Sequence, residues 1–293
     1  MRALRAIAAI ALCLAAPATI LAGQSPLIQP AELKPIVSQA RLVDLRAAEE
    51  FAKGHIPGAV RLSTDRLDDS AQNREGLPIS VEAAAAVFRE LGIDPQTNVV
   101  VYDGRGGLPA ARFFYVAEFF GHTHLRVLDG GWEAWLAGGG SQGTETRTVA
   151  PGKFQPRPHP ERIATAEWIQ ARLGAGSGAD KPVIIDVRTA DEYSGKRVAA
   201  GARGGHIPGA INIDWQTTVT GQGGGRMKSP EELKSIMQAA GVDRSREAVV
   251  YCGIGMRASY LYLVLRTLGF TRVRNYDAAW AEWGGRADLP IER

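Results

Sequence analysis

Short runs of branched apolar residues alternate with stretches of helical period along this chain. Residues 42–45, 99–102, 183–187 and 248–251 are short runs dominated by Val, Ile, Leu and Ala, the signature of strands buried on both faces of a parallel sheet. From 258 to 268, Leu261, Val264, Leu265 and Leu268 return at helical spacing and predict a helix with one apolar face. This alternation predicts an α/β fold in which central parallel sheets are flanked by helices. Residues 148–160 carry Pro151, Pro156, Pro158 and Pro160 with no apolar period, which predicts an extended linker.

The pattern on either side of that linker is the same. Gly54-His55-Ile56-Pro57-Gly58-Ala59 returns as Gly205-His206-Ile207-Pro208-Gly209-Ala210. Leu42-Val43-Asp44-Leu45-Arg46 is matched by Ile184-Ile185-Asp186-Val187-Arg188, and Val99-Val100-Val101-Tyr102-Asp103 by Ala248-Val249-Val250-Tyr251-Cys252. A fourth block, Gly121 to Val127, is matched by Gly269 to Asn275. Four blocks in one order imply duplication. The expected units are residues 26–147 and 163–293, joined by a linker over 148–162.

The first residues read differently. Arg2 and Arg5 precede an apolar run over residues 6–16, and small residues follow. This is the make-up of a secretory signal over residues 1–22, cut after Ala18 or Ala22. Pro17 and the shortness of the run speak against a membrane anchor, and Cys13 lies inside the run, not at its end where a lipidated Cys would stand. Export is expected, to the periplasm if the source is Gram-negative, without stable membrane association. Removal of that segment leaves Cys252 as the single Cys of a protein bound for an oxidising compartment. It is then a buried inert residue, an intermolecular link or a reactive thiol. The formal net charge of +3 over 293 residues, with no basic run interleaved with aromatics, gives no reason to expect nucleic acid.

Cys252 ends an apolar strand and opens Cys252-Gly253-Ile254-Gly255-Met256-Arg257, which leads into the helix. The nucleophilic form of Cys is the thiolate. Glycines let a short loop curl so that its N–H groups converge, and convergent N–H groups at a helix N-terminus stabilise an anionic sulfur. Arg257 closes the loop with a guanidinium suited to an anionic substrate; a cation in the first turn opposes the helix dipole, so a purely structural role fits it less well. His55 and His206 are repeated in both halves, only one of which has the Cys, so turn and packing roles account for them better than general-base catalysis. No His, Cys and carboxylate spacing suggests a metal, and no cofactor is expected.

The order Asp-x-Arg, Gly-His-Ile-Pro-Gly-Ala and strand–Cys–Gly-rich loop–helix resembles tandem rhodanese domains. Residues 275–283, Asn-Tyr-Asp-Ala-Ala-Trp-Ala-Glu-Trp, resemble the C-terminal signature of two-domain thiosulfate and 3-mercaptopyruvate sulfurtransferases. The resemblance implies covalent sulfur transfer through a Cys252 persulfide, from a small-molecule donor such as thiosulfate to cyanide or a thiol; a monomer is expected. It implies donor contacts from the loop residues Gly253, Ile254, Gly255, Met256 and Arg257 and from Arg188, with Asp186 in support. The recurrence of the Asp–Arg pair as Asp44 and Arg46 leaves a shared structural role equally open. Asp103 stands where Cys252 does and cannot carry sulfane sulfur, so the N-terminal unit is expected to be catalytically silent. The loop Cys252-Gly253-Ile254-Gly255 departs both from the Cys-Arg-Lys-Gly usual in thiosulfate enzymes and from the Cys-Gly-Ser-Gly usual in mercaptopyruvate enzymes. Thiosulfate is expected as the better donor, with 3-mercaptopyruvate as the alternative. Two other classes remain: a Cys-dependent phosphatase, whose Cys and Arg are separated by five residues instead of the four here, and a non-catalytic sulfur-binding or redox-sensing module.

Overall fold

The computed structural model describes residues 25–68, 78–174, 181–221 and 225–293. The expected signal segment, residues 1–22, lies outside them. In the N-terminal unit the elements are β1 (Leu27–Ile28), α1 (Pro30–Leu33), β2 (Arg41–Asp44), α2 (Ala48–Lys53), β3 (Val60–Arg61), α3 (Val81–Glu90), β4 (Val99–Tyr102), α4 (Leu108–Phe119), β5 (Leu125–Leu128) and α5 (Gly131–Ala137). In the C-terminal unit they are α6 (Ala166–Leu173), β6 (Val183–Asp186), α7 (Ala190–Tyr193), β7 (Ile211–Asn212), α8 (Pro230–Ala239), β8 (Ala248–Tyr251), α9 (Met256–Thr267), β9 (Val273–Asn275) and α10 (Ala279–Trp283).

Both sheets are wholly parallel. The first runs β1-β5-β4-β2-β3 and the second β9-β8-β6-β7, so β4 and β8, whose ends carry Asp103 and Cys252, hold the same interior place. The repeat extends to the sheet edge: where β1 pairs with β5, a parallel bridge joins Ile163 to Asn275 of β9. Interior parallel strands have no solvated face, which is why β4, β6 and β8 are buried at every residue.

Each sheet sends alternate side chains to two cores. Leu42 and Val100 face a core closed by Phe51, Trp132 and Trp135, and Ile184 and Val249 face its counterpart closed by Trp280 and Trp283. Val43, Val101, Ile185 and Val250 point into a single core that runs through both units. Its centre is the contact of α4 with α9. The sequence predicts one apolar face for α9; the structure buries Ala258 through Leu265 without a break. The reason is that α9 packs on its own sheet with one side and on α4 with the other, and α4 is likewise buried from Pro109 to Phe119. The segment after α5 remains extended and is pinned to the N-terminal unit: Gly152 N–H donates to Arg89 O (2.9 Å) and Phe154 N–H to Ile93 O (3.0 Å).

Candidate active site

Cys252 follows the last residue of β8, fully buried, with α9 beginning at Met256. Its backbone is fixed from behind. Trp280 N–H donates to Cys252 O (2.9 Å) and Ala281 N–H to Gly253 O (3.0 Å). In trans peptides the next N–H points opposite to each carbonyl, so the amides of Gly253 and Ile254 face away from α10. The turn is completed by Gly255, whose N–H donates to Cys252 Sγ at 3.1 Å. Gly255 has φ +86°, and a Cβ there would stand 2.5 Å from Asp277 Oδ1. Handedness and space both require glycine at this position. Opposite it, Ala279 sits buried at φ +56°, the left-handed region unfavourable to alanine. Its counterpart in the first unit is Gly131, at φ +57°.

Arg257 and Glu192 form a fork-to-fork pair, Nη1 to Oε2 at 2.8 Å and Nη2 to Oε1 at 2.9 Å. Those two bonds hold the Glu192 carboxyl well below the usual carboxylate range, against the opposing effect of burial. The Arg257 pKa is raised, first by Glu192 and also by the nearby Cys252 sulfur. Glu192 also closes the capping box of α7, where it accepts from Thr189 N–H (3.1 Å). The arrangement thus offers an anionic donor a cation that already has an internal partner.

Of the remaining expected site residues, Ile254 stands out into solvent, 57% exposed, beside a sulfur with no exposure at all, and Met256 is half-buried at the start of α9. Arg188 is placed as a brace, not as an open cation for the donor. It is 3% exposed; its Nε and Nη2 bind Asp186 (2.6–3.1 Å), Nη2 also binds Gly205 O (2.8 Å), and the guanidinium lies 4.4 Å from the Trp280 ring. Arg46 repeats this with Asp44, Gly54 O and Trp132. Asp186 therefore serves the Arg188 brace. His206 stacks on Tyr193 (3.7 Å) and His55 on Phe51 (3.8 Å), each with Nδ1 at the carbonyl of its stacking partner.

At the equivalent place in the first unit, Asp103 fills the loop with its own carboxylate, which accepts from Arg105 N–H (2.7 Å), Gly107 N–H (3.0 Å) and Ala110 N–H (2.8 Å). Burial pushes that carboxyl up despite the three donors. The loop is one residue longer than the Cys252 loop and borders an open cavity of about 410 Å³ between Arg46, Arg61 and Arg105.

Two segments of the chain, 29–138 and 165–286, match the rhodanese-like domain. The chain belongs to the rhodanese-like family. The chain is 34% identical over 267 residues to the thiosulfate sulfurtransferase of Pseudomonas aeruginosa, covering 90% of this chain and 96% of that one. It is 32% identical over 251 residues to the 3-mercaptopyruvate sulfurtransferase of Escherichia coli, covering 85% and 87%. Among solved structures, the 3-mercaptopyruvate sulfotransferase SseA of Escherichia coli superposes with a TM-score of 0.76 at 26% identity, over 88% of this chain and 99% of that one.

Three residues of the site were not singled out by the sequence. Glu192 had a signal, because Thr189-x-x-Glu192 is a capping-box pattern directly after Asp-x-Arg. Asp277 lies in the quoted C-terminal signature. Arg112 had none. It sits on α4 of the N-terminal unit, 1% exposed, and forms a two-pronged ion pair with Asp277, in which Nη2 is 3.0 Å from Oδ2. Burial opposes the charge on Arg112, and Asp277 more than offsets that opposition.

Proposed function

We propose that the protein is a thiosulfate sulfurtransferase whose transferable sulfur is carried by Cys252. The observation that carries this reading is the Cys252 sulfur, seated in a glycine-turned loop at the head of α9 with Gly255 N–H upon it and the Arg257–Glu192 pair beside it. The Cys252 thiolate attacks the outer sulfur of thiosulfate. A new S–S bond forms to Cys252, and the donor's S–S bond breaks with its electron pair leaving on sulfite. An acceptor nucleophile, cyanide or a thiolate, then attacks the terminal sulfur of the persulfide and returns Cys252 as thiolate. Covalent catalysis of this kind gives ping-pong kinetics. Arg257 holds the donor anion by exchanging one of its Glu192 contacts for it, and the loop amides receive the charge on sulfur. The N-terminal unit, with Asp103 in the nucleophile's place, transfers no sulfur.

The choice of thiosulfate over 3-mercaptopyruvate rests on Ile254, which presents no hydroxyl to a carboxylate or carbonyl, whereas a compact dianion needs only charge and amides. Comparison of kcat/KM for the two donors tests it: a higher value for thiosulfate is expected, and a clear preference for mercaptopyruvate overturns the donor assignment. Export is proposed from Arg2, Arg5 and the apolar run that follows. Fractionation of native cells should find a shortened chain outside the cytoplasm, and full-length cytosolic protein would contradict this. A monomer suffices, because one chain supplies Cys252, Arg257 and Glu192. A concentration-independent monomer mass by light scattering is expected, and a stable larger assembly would refute it.

A further inference from the structure

We propose that Arg112, on the catalytically silent unit, is a positioning residue for Cys252: it neutralises and holds the Asp277 carboxylate against the nucleophile loop, so that the thiolate forms without an opposing negative charge. The inference rests on Cys252 being the nucleophile.

The contacts run in one line. Arg112 leaves α4, fixes its Nε on Leu67 O (3.0 Å), and spans both oxygens of Asp277. Asp277 Oδ1 lies against the α-carbon of Gly255, where no side chain fits, and Gly255 N–H donates to Cys252 Sγ (3.1 Å). A second strand of the same network starts at Ser259. Its Oγ donates to Gly255 O (3.0 Å) and accepts from Asn275 Nδ2 (3.2 Å), which also reaches Asp277 Oδ1 (3.4 Å). The loop amide that touches the sulfur is therefore clamped between α9 and an aspartate whose cation comes from the other unit, 165 residues earlier in the chain.

The other charged and titratable groups around Cys252 are matched within the C-terminal unit. Arg257 pairs with Glu192 from α7, and Asp186 at the end of β6 pairs with Arg188. On α10 Glu282 accepts from the Tyr276 hydroxyl (2.6 Å), and on α9 the Tyr260 hydroxyl is pushed up by burial. Asp277 differs in drawing its cation across the interface. Through Gly255 its carboxylate is no more than about 9 Å from Sγ, counting backbone bonds of ordinary length. An uncompensated charge at that range raises a thiol pKa by about one unit at the effective dielectric of a protein interior. Duplication explains how the device arose without a catalytic N-terminal unit: Asp129, the counterpart of Asp277, also reaches across, accepting from Met227 N–H of the C-terminal unit (3.1 Å).

The test is the pH dependence of Cys252 alkylation by iodoacetamide, which reads the thiol titration without turnover, so a fault in the proposed sulfur-transfer reaction would not disturb it. Thermal unfolding confirms that each variant is folded. In Arg112→Met the titration midpoint should rise by about one pH unit. In Asp277→Asn, which removes the carboxylate and leaves the cation, it should fall. The double variant should return close to the wild-type midpoint. If Arg112→Met does not fold, the fall in Asp277→Asn and the double variant's return decide the matter. A folded Arg112→Met with the wild-type midpoint, an Asp277→Asn midpoint that stays put or rises, or a double variant displaced as far as either single one would overturn the proposal.

Discussion

Arg257→Ala does two things at once in this structure, and they can be separated. On the proposed reading it removes the cation that holds the donor, and it leaves the Glu192 carboxylate beside the site with the exposed Arg197 (3.1 Å) still paired to it. A hydrogen bond to a charged group contributes about 1.5–3 kcal/mol, so loss of the donor contact alone lowers kcat/KM for thiosulfate by about 10- to 150-fold. The second effect follows from the low pKa of Glu192. That value is set first by Arg257, yet without Arg257 the usual carboxylate pKa of about 4.3 still leaves Glu192 ionised at pH 7. Its oxygens, released from bonds of 2.8 and 2.9 Å, then repel both a dianionic donor and the thiolate; screened by Arg197 and solvent, this adds about 1 kcal/mol. Arg257→Ala should therefore lose more than the contact alone accounts for, and Arg257→Ala/Glu192→Gln should recover about 5-fold of it. Initial rates of sulfite release at sub-saturating thiosulfate measure both, with circular dichroism to confirm folding. A well-folded Arg257→Ala within three-fold of wild type, or a double variant slower than the single one, would refute the assignment of Arg257 to donor binding and of Glu192 to its control.

Further expectations concern the frame of the site. Asp103→Asn keeps an acceptor for the amides of the Asp103 loop and should leave turnover within a few-fold of wild type; Asp103→Ala should lower stability by about 1–3 kcal/mol, because the buried Ala110 N–H and the part-buried amides of Arg105 and Gly107 lose their partner. Loss of turnover in a folded Asp103→Asn would give that residue a part in the chemistry. Ala279→Gly relieves a left-handed alanine at a cost of about 1–2 kcal/mol, partly offset by the entropy of glycine, and should raise the melting temperature by about 2 °C; a lower one would contradict the strain. Glu192→Gln should destabilise the protein at neutral pH and not in strong acid. The depressed carboxyl contributes stability that is fully present above its unfolded pKa of about 4.3 and is lost as pH falls through its lower folded value, so the gap between wild type and variant in urea titrations should narrow as pH drops below about 4. A gap independent of pH would show that the pair is not the source.

Local signals carried the architecture. Four-residue β-branched runs became interior strands, and the recurrence of Asp-x-Arg and Gly-His-Ile-Pro-Gly-Ala placed Arg46 with Arg188 and His55 with His206 in matching environments, because identical local sequence in a duplicated frame meets identical neighbours. The loop opened by Cys252 was equally legible, since its glycines and the following helix lie within six residues of the thiol. What stayed hidden depends on contacts between distant parts of the chain. Nothing near residue 112 marks it as a partner of Asp277, and the heptad-like leucines of α9 do not show that α4 covers its other side. Arg188 illustrates a different limit: sequence placed it near the site, but only side-chain geometry shows its donors spent on Asp186 and Gly205. The pairing of Arg257 with Glu192 likewise turns a guanidinium that looks open in the sequence into one a donor must share.

The central claim is that all transferable sulfur resides on Cys252, the free cysteine among the described residues. Intact-mass spectrometry of the purified protein after incubation with thiosulfate tests it most directly. One added sulfur on the wild-type chain, removed by cyanide and absent from Cys252→Ser, is the predicted result. Sulfur retained by Cys252→Ser, or none gained by the wild type from either thiosulfate or 3-mercaptopyruvate, would contradict the account.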